Sequence, residues 1–284
     1  MTNWPSFRIR VPGKWVLTGE HSVLRGAMAI AMPHLEVGLS LTFEPHAGAT
    51  GLSIEPMDAT EVVQELIARI SEISGQRVFD LNGILKISST IPVGAGLGSS
   101  AALCVALTEW LAKPLGIPSD QKCAVATQLE HRFHGKSSGM DVAAISAAEP
   151  ISFVIGQGSA PVGVSRLPRF TFHDTGLRSQ TRDCVAKVQA FQADGSLGKS
   201  VDEKMAAATG LALNGLKNYS KGNCDAGLAQ IQKAMNLAQE CFVAWGLVPD
   251  AARALETQLL SQGALAVKLT GAGGGGFCVA LWGP

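Results

Sequence analysis

Ile91-Pro-Val-Gly-Ala-Gly-Leu-Gly-Ser-Ser-Ala101 is the segment around which the rest of the chain can be placed. Just before it, Gly83 to Ser89 reads as a strand, and just after it an alanine- and leucine-rich stretch predicts a helix beginning near Ser99. A strand that passes through glycines into a helix start is suited to holding an anion. Glycine lets the backbone approach closely, and the first helical N–H groups point outward along a favourable dipole. A triphosphate fits such a loop, and Ser99 and Ser100 add two hydroxyls. The alternative is a tight turn into a buried helix. The GxxxxGK[ST] order of a P-loop and the acidic ribose partner of a dinucleotide fold are both missing, which disfavours those two folds.

On the N-terminal side, FRIRV, KWVLTGEH, AMAIAM and EVGLSLTF predict four strands. Asp58 to Ser74 predicts a helix with Val62, Leu66, Ile70 and Ile73 on one face, an Asp58-x-x-Glu61 capping box and Gly75 as its stop. On the C-terminal side, Ser119 predicts a cap for a helix running to about His131, and HGKSSGMD reads as a loop. Pro150 to Pro168, rich in Gly, Ser, Pro and Val, predicts the crossing from an N-terminal lobe (1–160) to a C-terminal lobe (161–284). Val201–Tyr219 and Asp225–Trp245 read as long helices, Pro249 opens a last helix and Gly263 ends it. The chain then reads as a strand over Ala264–Leu269, a loop over Gly271–Gly276 and a strand over Phe277–Trp282.

The 284 residues carry 23 Lys+Arg against 23 Asp+Glu, so no net field draws in nucleic acid or an anionic membrane, and any phosphate binding must be local. The six cysteines lie far apart, without zinc-type CxxC pairing or the density of a disulfide scaffold, and read as reduced thiols. The N-terminal residues show no signal-peptide pattern, and Ala101–Leu111 is too short to span a bilayer, so a cytoplasmic location is expected.

Three further features can carry chemistry. Glu130 and Asp141 are two carboxylates eleven residues apart, flanking HRFHGKSSGM. Phosphoryl transfer needs an anionic ligand for magnesium and a group that orients or deprotonates the attacking hydroxyl, and these two residues fit those jobs. They equally fit solvated surface groups or caps. Lys14, opening an apolar strand that ends in Gly19-Glu20-His21, can stabilise negative charge on a nucleophile and a transferring phosphoryl group, or can be an edge-strand charge. The glycine run after Lys268 and Thr270 can wall a phosphate or substrate site, or can be a hairpin turn.

Taken in order, PGKWVLTGEHSVLRG, PVGAGLGSSAA and KLTGAGGGGFCVAL resemble the three motifs of the GHMP kinase superfamily over nearly the whole chain. Within it, GEHSVLRG followed by AMAIAMP, and HGKSSGMD beside the pattern HGNPSGVD, are similar to the mevalonate kinases. The resemblance implies an α+β fold in two lobes, the first like ribosomal protein S5 domain 2 and the second ferredoxin-like. It implies ATP and Mg²⁺ as cofactors and phosphorylation of the primary hydroxyl of a small molecule, mevalonate first, in isoprenoid biosynthesis. By the same resemblance Asp141 is catalytic base or orienter, Lys14 supports nucleophile and transition state, and Ser100 and Glu130 hold magnesium. Pro92, Gly94, Ala95, Gly96, Leu97, Gly98, Ser99, Ser100 and Ala101 cradle the phosphates. Glu20, His21, His134, Ser138, Gly139, Thr181 and Gly273 fall at its substrate positions. A homodimer is a family-level expectation. Two departures stand out: Lys136-Ser137 replaces Asn-Pro, and Ser179 replaces an arginine two residues before Thr181, with Arg178 the candidate substitute. The rival readings are a kinase for another small alcohol, such as phosphomevalonate or a sugar, and a non-catalytic ligand sensor on the same fold.

Overall fold

A computed structural model describes residues 4–46, 51–78, 81–134 and 137–284. In chain order the elements are β1 (Phe7–Thr18), β2 (Ala29–Pro45), β3 (Leu52–Glu55), α1 (Thr60–Ser74), β4 (Gly83–Ser89), α2 (Ser99–Ala112), α3 (Lys122–His134) and α4 (Met140–Ala147). There follow β5 (Ile151–Val154), β6 (Gly158–Pro161), β7 (Arg169–Asp174), α5 (Thr181–Gln192), α6 (Ser196–Ser220), α7 (Cys224–Ala244), α8 (Asp250–Ser261), β8 (Ala266–Leu269) and β9 (Phe277–Trp282). The chain divides into two compact units. The first holds Met1–Lys14, Pro33–Pro92 and Gly98–Ala148, and the second Trp15–Met32, Val93–Leu97 and Glu149–Pro284. Strands β1 and β2 therefore each run through both.

In the first unit β4 pairs antiparallel with β2, from Leu39 opposite Ser89 to Pro45 opposite Gly83, and parallel with β3. Leu41, Phe43 and Leu85 bury one face of these strands, and α1 buries Val63, Leu66, Ile67 and Ile70. α2 packs against α1, α3 and α4, and from Ala101 onward its apolar residues are nearly all buried. Ring contacts of Trp110 with Phe43 (5.0 Å) and Trp4 (6.5 Å) close this core.

In the second unit Ala29–Ala31 of β2 pair with β5, which forms a hairpin with β6. A separate sheet has the order β7-β9-β8, all antiparallel. The core here joins Val201, Met205, Ala238, Phe242, Trp245, Leu247, Leu269 and Cys278, with α7 and α8 packed on β8.

Several expectations are corrected. The four N-terminal strands are two long ones. Pro12 is tolerated in β1 because, among the described residues, that strand pairs only with β2, and Pro33 falls between the β5-paired and β4-paired residues of β2. The Asp58 capping box does not form: Asp58 lies in a short 3-10 turn, Met57–Ala59, and α1 starts without a side-chain cap. The buried face of α1 is shifted accordingly, using Val63 and Ile67 rather than Val62 and Ile73. α3 starts at Lys122, two residues later than a cap at Ser119 would set it, and runs to His134. Asp141 lies in the first turn of α4 rather than in a loop. β4 has the bounds expected of it, and Gly75 ends α1 at φ 67° as expected.

Candidate active site

In the first unit, Gly98 (φ 82°) precedes α2, whose first turn is Ser99, Ser100 and Ala101. A Cβ at Gly98 would lie 2.9 Å from Lys14 Cγ and 3.2 Å from Ile145 Cδ1, so only glycine lets the Lys14 stem pass beside the start of the helix. Lys14 is 3 % exposed, and its Nζ lies 2.8 Å from Asp141 Oδ2. The Asp141 side chain keeps 28 % of its surface open, so the pair combines a buried cation with an accessible carboxylate. Glu130, on α3, is 1 % exposed. Burial pushes its carboxyl up to about 7, and the nearby Asp141 charge adds to the rise; the Ser137 hydroxyl and Lys14 oppose it. Three ionisable side chains from β1, α3 and α4 thus act on one another beside a helix N-terminus.

Around them, Ser137 Oγ donates to Glu130 Oε2 and accepts the Gly139 N–H, and Ser138 Oγ accepts the Met140 N–H at 3.2 Å. Gly139 (φ 82°) caps α4. His134 closes α3, and its side chain lies outside the described residues, as do Gly135 and Lys136. Pro92 ends a segment of this unit.

In the second unit, Gly94, Ala95, Gly96 and Leu97 form the loop before Gly98. A Cβ at Gly96 would meet the Thr270 carbonyl at 3.2 Å, and one at Gly271 would meet Gly96 Cα at 3.0 Å: two glycine motifs far apart in sequence lie backbone to backbone. The run 271–276 is tied down from several sides. His21 Nε2–H donates to the Ala272 carbonyl (2.9 Å), and Ser179 Oγ (2.5 Å) and Cys184 Sγ (3.3 Å) both donate to the Gly273 carbonyl. His21 has φ 57° and ψ −44°, a strained conformation for a side-chain-bearing residue, and packs edge-on to Phe242 and Trp245. Burial lowers its pKa to about 4, so the imidazole is neutral and the accepting carbonyl fixes its proton on Nε2.

Glu20 is turned inward. Its Oε1 lies 2.5 Å from Lys268 Nζ, which is fully buried, also donates to the Leu269 and Val16 carbonyls, and sits 5.3 Å from the Phe242 ring centre. Lys268 therefore does not face an open phosphate site. Thr181 opens α5. Arg178 is engaged by Asp174 through two 2.7 Å bonds. A cavity of about 510 Å³ lined by Lys204, Asn236, Gln239, Glu240, Val243 and Glu256 holds none of the residues singled out by sequence, and its Lys204–Glu240 and Gln239–Glu256 groups already pair. Sequence reading set Lys268 beside a possible phosphate or substrate wall and missed its pairing with Glu20, although a lysine inside the apolar strand AVKL signals a buried partner.

Comparison with known proteins extends this geometry. The model of the GHMP kinases N terminal domain matches residues 59–149, and that of the GHMP kinases C terminal region matches 225–282. A mevalonate kinase of Pyrococcus horikoshii is 30% identical over 306 residues, spanning 95% of this chain and 87% of that protein. The chain belongs to the GHMP kinases. A mevalonate kinase of Aeropyrum pernix is 29% identical, over 97% of this chain and 88% of its own length. The crystal structure of L. major mevalonate kinase in complex with R-mevalonate superposes with a TM-score of 0.78 at 21% identity, covering 98% of this chain and 87% of that one, which shows the shared two-lobed α+β fold. As a GHMP kinase this is an ATP-dependent small-molecule kinase. Glu130 and Asp141 fall inside the GHMP N-terminal match, and Lys268 to Gly276 inside the C-terminal one.

No helix among the described residues is long and apolar enough to cross a membrane. Nor do the described residues contain a group of three or more His, Cys, Asp or Glu arranged to hold a metal. Glu130 and Ser100 offer hard oxygen donors of the kind that magnesium takes.

Proposed function

We propose that this GHMP kinase transfers the γ-phosphoryl group of ATP to the primary hydroxyl of mevalonate, giving 5-phosphomevalonate. The observation that carries the phosphotransfer chemistry is the buried Lys14 ammonium 2.8 Å from the part-open Asp141 carboxylate. Asp141 orients the acceptor hydroxyl and takes its proton as the new O–P bond forms and the bond to ADP breaks. Lys14 holds Asp141 in place and stabilises negative charge on the acceptor oxygen and the phosphoryl group. The N–H groups at the start of α2 receive phosphate oxygens. Glu130 and Ser100 would hold the magnesium ion, which when bound neutralises charge on those oxygens. Acceptor contacts through His21, Ser138, Gly139, Thr181 and Gly273 belong to the same reading. Mevalonate is supported by the near full-length similarity to two mevalonate kinases.

One observation favours a second acceptor class, an alcohol without a carboxylate: Ser179 stands at the arginine position, and Arg178 is held by Asp174. The test is magnesium- and ATP-dependent ADP release with mevalonate, phosphomevalonate, galactose, homoserine and no acceptor. Turnover with mevalonate alone supports the proposal, turnover with another alcohol moves the specificity, and tight nucleotide binding without any turnover favours a sensor.

A further inference from the structure

Ser137 stands where the motif HGNPSGVD has a proline, and it makes contacts that a proline cannot. Its hydroxyl donates to Glu130 Oε2 and accepts the N–H of Gly139 at 3.1 Å. Its own N–H, which proline lacks, donates to His131 Nδ1 at 3.0 Å. One short side chain thus joins a buried carboxylate of α3 to the residue that caps α4, and Asp141 sits in the first turn of α4. Thr127 supports the same point from beneath, since a Cβ at Gly139 would lie 3.2 Å from Thr127 Oγ1. A carboxylate that is 1 % exposed keeps its orientation only through such partners, because water does not reach it to compete.

We propose that Ser137 is a positioning residue: its hydroxyl fixes which Glu130 oxygen is free for magnesium and locks the start of α4 in register with it. This inference rests on the reading of Glu130 as a magnesium ligand. A purely structural turn would move stability without moving the magnesium requirement, so the two roles separate experimentally.

The experiment measures the magnesium dependence of binding of a non-hydrolysable ATP analogue by calorimetry on the full chain, without acceptor, for Ser137→Val, Ser137→Thr and Glu130→Gln. Valine and threonine have the same shape, so their difference isolates the hydroxyl. Ser137→Val should raise the magnesium concentration for half-maximal binding roughly 10-fold, while Ser137→Thr stays within about twofold of the parent. Equal behaviour of the valine and threonine variants, with Glu130→Gln weakened, overturns the role of Ser137 and leaves the magnesium ligand standing. An unchanged Glu130→Gln overturns the ligand reading and the Ser137 inference with it.

Discussion

Lys14 Nζ lies 2.8 Å from Asp141 Oδ2, with the lysine side chain buried and the carboxylate partly open. On the proposed mechanism, removing either charge leaves phosphate binding at α2 in place and strips the acceptor oxygen of its base or its counter-charge. Asp141→Asn and Lys14→Met should each lower kcat by roughly 10²-fold or more, with nucleotide affinity little changed. Steady-state kinetics and nucleotide titration read this directly. Parent-like turnover in either variant removes the assignment.

Gly98→Ala should act on the same pair at a distance. Its φ of 82° and the 2.9 Å approach to Lys14 Cγ mean that a methyl group must displace the lysine stem. A fall in kcat that exceeds the loss of stability, about 1 kcal/mol for the backbone alone, is the expected pattern. A variant with unaltered kcat would show that the packing of Gly98 on Lys14 has no bearing on turnover.

The proposed magnesium role of Glu130 makes metal binding depend on pH. Its carboxyl is raised to about 7 by burial first, so below that pH the metal-free protein holds a proton on Glu130 that magnesium must displace. More magnesium should be needed for half-maximal nucleotide binding at pH 6 than at pH 8. Glu130→Gln should abolish that pH dependence while raising the requirement at both pH values. A magnesium titration that is flat with pH in the parent contradicts this.

His21 links stability to pH. Its folded pKa is lowered from 6.5 to about 4, so the unfolded chain takes up a proton first as pH falls. Stability should be constant above about pH 6.5 and fall by about 3 kcal/mol as pH drops through 4. Urea unfolding of the parent and of His21→Gln at pH 7.5 and pH 4.5 isolates this part, because the variant should lose the corresponding difference. Identical pH profiles for the two proteins would argue against it.

Lys268 and Glu20 form a pair whose side chains are 0 % and 3 % exposed. Lys268→Met alone should cost about 3–5 kcal/mol by stranding the Glu20 carboxylate, and adding Glu20→Gln should recover part of it. Additive losses in the double variant, measured by denaturant unfolding, would show that the two side chains do not interact.

The parts of this protein legible from sequence are those whose cause is local. Gly83–Ser89, the glycine approach to Ser99 and the Gly75 stop of α1 depend on residues that are neighbours in the chain, and the structure places them as read. The ordered glycine motifs, with the Glu-His pair, carried the family. Pattern failed where pairing overrode it: Pro12 and Pro33 punctuate the sequence but lie inside strands. Asp141 was misread as a loop residue because HGKSSG looks like a loop, whereas the helix needs only Gly139 before it to begin.

What the tertiary structure alone decided is which charges meet. Lys268 and Glu20 lie 248 residues apart and His21 and Ala272 251 apart, beyond the reach of any periodicity or propensity. Composition names the residues able to ionise, but burial and a partner within about 3 Å set whether each is a ligand, a base or a structural pair, and both depend on the path of the whole chain. The sequence thus determined the family and the set of candidate groups. The fold assigned Glu20 to Lys268, gave Asp141 to Lys14, and tied Ser137 to Glu130.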